Sequence, residues 1–332
     1  MKTGNVAQII GETPLIKIES LSQLTGQNIF GKAEFLNPGG SIKDRTALGI
    51  ILEAQEQGEL KPGFTIVEGT AGNTGIGLSI LAAQFGYKSL IVMPNNQSAE
   101  KYTILKALGA EVITVPPCPF ADQNHFYHTA RRISEERSDT FWANQFENLS
   151  NFRIHYKTTA KEIYEQLKGK VDAFVSSAGT GGSLAGISRY LKEKNPKTHI
   201  QLADPFGSGL HEYVKTGKFL SQGSSMTEGI GIMRLTANFK EALIDDSVQV
   251  SDQEMINMLY HLASHDGLLV GTSAALNVCA AAQFAKKQTT KGMNIVTILC
   301  DGAMRYQNKV FNPDFLKAQN ISMTNPMTLT NS

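Results

Sequence analysis

Residues 64–94 read FTIVEGTAGNTGIGLSILAAQFGYKSLIVMP. FTIVEGT is a short apolar run with β-branched residues, and KSLIVMP is a second one. Between them lie a glycine turn and NTGIGLSILAAQFG, whose apolar residues recur at helical spacing. Strands that read as continuous apolar runs are buried on both faces, and a helix between two of them makes their pairing parallel. The stretch predicts a strand–helix–strand unit of an α/β sheet.

The same alternation continues outward. SAEKYTILKALGA (98–110) reads as a helix ending at Gly109, and AEVITVP (110–116) as a strand. VDAFVSSAG (171–179) is a strand feeding the helix SLAGISRYLKEK (183–194), and HIQLADP (199–205) is the next strand. GLLVG (267–271) reads as a strand before the helix SAALNVCAAAQFAKK (273–287), and NIVTILCD (294–301) closes the series. The fold class is α/β, doubly wound, with mostly parallel sheets. At 332 residues the chain suggests two such domains, cut near residue 150. The segment 205–228 has weak periodicity and reads as a surface excursion, and SMTNPMTLTNS (322–332) as a frayed tail.

Composition narrows the function. Basic and acidic residues nearly cancel, 31 against 30, so the electrostatic footprint of a nucleic-acid binder is missing. No apolar run is long enough to span a bilayer, and MKTGNVAQIIGETP does not read as a signal peptide. The three cysteines, Cys118, Cys279 and Cys300, form no CxxC and no Cys/His cluster. Neither a disulfide framework nor a metal site is expected, and the expected setting is cytoplasmic. Cys300 and Trp142 read as core residues.

Three glycine clusters occupy strand-to-helix junctions: GTAGNTGIG (69–77), AGTGGSLAG (178–186) and GTSAALN (271–277). In an open parallel sheet such junctions form the ligand crevice. The amides of Gly179–Gly182 and the hydroxyls of Thr180 and Ser183 suit a phosphate at a helix start. The spacing is neither that of a dinucleotide fingerprint nor that of a Walker loop. The first cluster, rich in small donors, suits a carboxylate. In the third, Ser273 reads as an N-cap. A fourth stretch, NPGGSIKDR (37–45), is a turn followed by a helix start, with Ser41 as N-cap and Asp44 at the third helical position. Lys43 then sits in the first turn, where the helix dipole disfavours a cation.

These residues carry a resemblance to the pyridoxal-phosphate (PLP) enzymes of fold type II, in the cysteine synthase and cystathionine β-synthase group. GETPLIKI (11–18) is similar to the family's IGNTPLVRL, and EFLNPGGSIKDR (34–45) to the segment bearing the cofactor lysine. TAGNTG (70–75) is similar to the substrate loop TSGNTG, and QFEN (145–148) matches a further substrate segment. GTGGS (179–183) resembles the phosphate cup GTGGT, and EGIG (228–231) a glycine segment near the active-site mouth. The matches keep the family's order.

The resemblance implies PLP in a cleft between two domains. One is a smaller, mobile substrate-loop domain (41–150). The other is a larger phosphate-binding domain (1–40 with 151–320), and 321–332 is a tail. It implies that Lys43 carries the cofactor and acts as the catalytic base. Gly179, Thr180, Gly181, Gly182 and Ser183 would hold the phosphate, Asn73 the ring hydroxyl, and Ser273 would face the pyridine nitrogen. A serine there leaves the ring nitrogen uncharged, which favours loss of a β-substituent over transamination. Thr70, Ala71, Gly72, Thr74 and Gln145 would contact the amino-acid substrate, with Gly229 at the mouth. The implied reaction is β-replacement on an activated serine, O-acetylserine with sulfide first, serine with homocysteine second. A catalytically weak PLP-binding partner of serine acetyltransferase is a third reading. A homodimer is implied as well. The chain departs from the family at Ala71 (usually Ser), Gln97 (usually Met) and Glu12 (usually Asn), and GTSAALN is nearer the GGSAG form of cystathionine β-synthases.

Overall fold

The computed structural model describes residues 4–70, 72–97 and 99–322. Ten strands are found among them: β1 (Leu15–Lys17), β2 (Asn28–Ala33), β3 (Thr65–Gly69), β4 (Lys88–Pro94), β5 (Glu111–Val115), β6 (Thr140–Trp142), β7 (Ala173–Ser176), β8 (His199–Pro205), β9 (Asp246–Val250) and β10 (Asn294–Leu299). They form a six-stranded sheet in the order β1-β2-β10-β7-β8-β9 and a four-stranded sheet in the order β5-β4-β3-β6. Only the β1–β2 pair is antiparallel; β3 runs parallel to both β4 and β6, and β10 to both β2 and β7. The four-stranded sheet draws every strand from residues 65–142.

Both sheets are covered on both faces, as continuous apolar runs require. Every residue of β3 is buried, Glu68 included. The helix Thr272–Lys287 is buried from Thr272 to Ala285, and its alanines let it lie close against β10. Tail residues 323–332, read as frayed, lie outside the described residues, as does Ala71 of the substrate loop.

Three expectations are corrected. GLLVG is not a strand. Gly267 has φ +65° and a helix begins at Thr272, so only Val270 pairs, in a single bridge with Gly302. The Lys43 helix spans Lys43–Glu56 with Ile42 at its cap, so Asp44 is second rather than third. Ser41 gives its backbone to a bridge with Asp301, and its hydroxyl accepts from the Lys43 amide at 3.2 Å. The segment 205–228 contains a short helix, Leu210–Thr216, and most of residues 215–224 are exposed, in keeping with a surface excursion. Strands β1, β2, β6 and β9 were not legible: two have three residues, β2 is interrupted by Gly31, and β9 (DSVQV) is polar at the sheet edge.

Candidate active site

One cavity of about 260 Å³ lies between the two sheets. It is lined by Lys43, by Thr70, Gly72, Asn73, Thr74 and Gln145, by Gly179 and Thr180, by Gly229, and by Ser273. The chain reaches it at strand ends, because parallel strands with covering helices point their βα turns to one side.

Lys43 is placed by the end of β10. Ile42 N–H donates to the Cys300 carbonyl at 2.9 Å, and the Ser41–Asp301 bridge holds the preceding residue. Burial lowers the Lys43 pKa, opposed by Cys300 and Asp301. Desolvation, rather than a positive potential, is thus what favours the uncharged amine, and an uncharged amine is what a nucleophile or base requires. Among the described residues no hydrogen bond or ion pair is found for its Nζ.

On the opposite wall, Thr74 and Gln145 meet. The Thr74 hydroxyl donates to Gln145 Oε1 at 2.6 Å, and Gln145 Nε2 donates to Glu68 Oε1 at 3.2 Å. Glu68 lies fully buried in β3, and burial pushes its carboxyl up to about 8 against the hydrogen bonds from Gln145. The Gly72 amide donates to Thr70 Oγ1 at 3.3 Å. Small hydroxyls and amides converge there on a volume suited to a carboxylate.

The turn after β7 supplies Gly179 and Thr180 to the cavity surface; Gly181, Gly182 and Ser183 run on into the helix Gly182–Lys194 and do not line it. A Cβ at Gly179 would stand 2.1 Å from the Gly229 carbonyl oxygen, so the two turns touch backbone to backbone. Thr180 Oγ1 accepts from Asn151 Nδ2 at 2.9 Å and from the Gly182 amide at 3.4 Å. With both lone pairs engaged, its proton is left to donate. Ser273 is buried at the second position of its helix, Gly271 taking the cap, so the capping expectation fails. It lies beside Cys300, whose thiol burial pushes up to about 11 while the Ser273 contact opposes.

Cys300 packs against the core as expected but is only partly buried, and it also lines the cavity. Trp142 packs edge-on against Tyr127 at 5.2 Å between ring centroids and does not line the cavity. Further residues received no role from the sequence, although Glu228 opens the quoted EGIG segment. Glu68, Lys101, Glu228, Asp301, Arg305 and Tyr306 surround the expected set, and Glu228 takes Lys101 on one oxygen and Lys309 on the other. Their positions follow from long-range packing, for which no local pattern exists.

The architecture is that of an enzyme built around a lysine in a cleft between two parallel sheets. The sequence pattern described as pyridoxal-phosphate dependent enzyme matches residues 6–301, and the chain belongs to that family. Within it, the chain is 49% identical over 317 residues to cysteine synthase 1 of Neurospora crassa, covering 94% of this chain and 84% of that one. It is 47% identical to cysteine synthase 1 of Emericella nidulans, covering 98% and 89% of the two chains. Among solved structures it is similar to the O-acetylserine dependent cystathionine beta-synthase of Helicobacter pylori, with a TM-score of 0.85, 34% identity, and 93% and 98% of the two chains covered.

The residues present fit PLP. A desolvated lysine amine faces the cavity, and the Gly179–Gly229 contact leaves no room for a side chain. A buried hydroxyl with a spare proton stands at Thr180, and a second buried hydroxyl, Ser273, lines the same cavity. Among the described residues no helix is long and apolar enough to cross a membrane.

Proposed function

We propose that this chain catalyses PLP-dependent β-replacement on an activated serine, joining O-acetylserine and sulfide to give L-cysteine and acetate. The observation that carries the reading is the convergence of the desolvated Lys43 amine with the Thr70–Gly72–Thr74–Gln145 clamp in one cavity. Bound PLP supplies the electron sink that acidifies the substrate's α-proton. The rest is the work of side chains. Thr74, Gln145 and the amide of Gly72 hold the α-carboxylate, which fixes the Cα–H bond toward Lys43. Lys43 Nζ takes that proton as the acetate leaves and returns it after sulfide has added to the β-carbon. Gly179 and Thr180 meet the phosphate at the cavity wall, with Gly181, Gly182 and Ser183 completing the anchor from the helix start behind them, while Asn73 takes the ring hydroxyl and Ser273 the pyridine nitrogen. Ala71 and Gly229 border the substrate. The test is product formation: the purified protein with PLP, O-acetylserine and sulfide should release L-cysteine and acetate in equal amounts, and failure to do so would sink the reading.

A second reading, condensation with homocysteine, is favoured by the likeness to the Helicobacter pylori structure. Supplying homocysteine in place of sulfide separates the two by product mass. A pure regulatory partner of serine acetyltransferase would bind without turnover.

The same proposal covers the assembly. Residues 41–150 act as a smaller, mobile domain against 1–40 with 151–320. The protein pairs as a homodimer, supported by exposed Leu36, Leu269 and Met304 around the Val270–Gly302 bridge. We place it in the cytoplasm; a relative from Saccharomyces cerevisiae carries a mitochondrial description, and cell fractionation decides.

A further inference from the structure

Asn73 lines the cavity with Lys43, and charged groups hold both ends of its side-chain amide. Its Nδ2 donates to Asp301 Oδ2 at 2.8 Å, and its Oδ1 accepts from Arg305 Nη1. The other arm of Arg305, Nη2, donates to the Gly39 carbonyl in the turn before Lys43. Asp301 is itself tightly placed. Its Oδ2 also accepts from the Tyr306 hydroxyl at 2.7 Å, its backbone bridges Ser41, and its carbonyl accepts from the Gly271 amide at 3.0 Å. A Cβ at Gly271 would stand 2.2 Å from Asp301 Oδ1, so the carboxylate packs into space that only glycine leaves open there. One short segment after β10 thus joins the Lys43 turn, Asn73 and the start of the Ser273 helix.

An isolated asparagine amide is ambiguous: a half-turn exchanges its donor and acceptor ends. Here the half-turn would set the NH₂ group against a guanidinium and the oxygen against a carboxylate. Only one orientation is compatible with both charges. In that orientation Oδ1 is committed to Arg305, one N–H is committed to Asp301, and the second N–H is what Asn73 has to offer a ligand.

We infer that Arg305 and Asp301 are positioning residues that lock Asn73 as a pure hydrogen-bond donor toward the ring oxygen of PLP, selecting the oxygen in its anionic form. The inference rests on the proposed PLP chemistry and on Asn73 meeting that oxygen. It goes further in saying why Asn73 donates and never accepts, and in giving Arg305 a role without cofactor contact.

The experiment measures equilibrium binding by the full-length apoprotein of PLP and of its 3-deoxy analogue, which keeps the phosphate and aldehyde but lacks the ring hydroxyl. The wild type should prefer PLP by about tenfold, the worth of one hydrogen bond to a charged group. In Arg305→Met the preference should fall to within about twofold while affinity for the deoxy analogue is retained. Arg305→Lys, which keeps the charge but cannot span Asn73 and Gly39 together, is the second variant should the first fold poorly, with a reduced preference expected. A preference that survives in both variants overturns the inference, as does an equal loss for both ligands, the signature of a merely structural arginine. A wild type that binds PLP without preference overturns the Asn73 contact and the inference with it. A wild type that binds neither ligand strikes the PLP reading itself.

Discussion

The Thr74 hydroxyl and Gln145 Oε1 stand 2.6 Å apart, although 71 residues separate them in the chain. The bond ties the start of the helix after β3 to the segment after β6, and Glu68 holds the glutamine from behind. The clamp is therefore a three-residue unit rather than a loop. Thr74→Val, which keeps the shape and removes the hydroxyl, should raise KM for O-acetylserine by about 10- to 100-fold with a smaller change in kcat, since the donor that turns from Gln145 to the bound carboxylate is lost. Steady-state kinetics decide, and an unchanged KM would remove Thr74 from the clamp.

Glu68 carries a pH signature. Burial raises its carboxyl to about 8 in the fold, above the unfolded value, so the native state binds the extra proton between the two. That arrangement makes stability decline as pH rises across roughly 4.5 to 8. Glu68→Gln should lack this decline, so its melting temperature should gain on the wild type as pH rises. Parallel curves for the two proteins across that window would contradict the shift.

Lys43 has the opposite sense. Its pKa is lowered by burial, so the unfolded chain binds the proton that the fold rejects, and stability of the apoprotein rises as pH approaches the ordinary lysine value. Lys43→Met should abolish turnover and raise the apoprotein's melting temperature at pH 7 by a few degrees, a gain that shrinks toward alkaline pH. Retained turnover would refute its role as the base.

Behind the Lys43 helix, Arg45 pairs with Glu34 Oε2 at 2.8 Å and Glu162 Oε1 at 2.6 Å, and Lys32 pairs with Glu162 Oε2 at 2.7 Å. Burial works against the Glu162 charge, yet Arg45 and Lys32 hold its carboxyl down at about 2. Its stabilisation is present above the unfolded carboxyl value and is lost as pH falls through about 4.5 toward 2. Glu162→Gln should cost about 3 kcal/mol at pH 7, since it leaves the buried Lys32 without a carboxylate and Arg45 with Glu34 alone. That cost should shrink on acidification, as chemical denaturation at several pH values will show.

Leu269 is 59% exposed and Met304 71% exposed, and the two stand beside the paired residues Val270 and Gly302. Replacing both by glutamate should halve the mass seen by light scattering, to the 36.1 kDa of one chain. A wild type already at that mass would refute the homodimer.

Residue order alone revealed the α/β class, because strands buried on both faces must be continuous apolar runs and helices must show their period. It also marked the TAGNTG and GTGGS turns, because a turn that admits a ligand needs small residues locally, whatever surrounds it; Lys43 and Gln145 were singled out by resemblance to the family's motifs. Helix caps and short strands were less legible: Ser41 yields the cap to Ile42 because its backbone is claimed by Asp301, 260 residues away in sequence. Only the packed chain decided what stands behind the turns. Glu68 behind Gln145, Asp301 and Arg305 on Asn73, and Cys300 beside Ser273 are pairings across distant segments. No spacing announces them, because a contact between distant segments depends on how the strands, helices and sheets pack together. That relation is set by the sum of the core's contacts and not by any residue's neighbours in the chain.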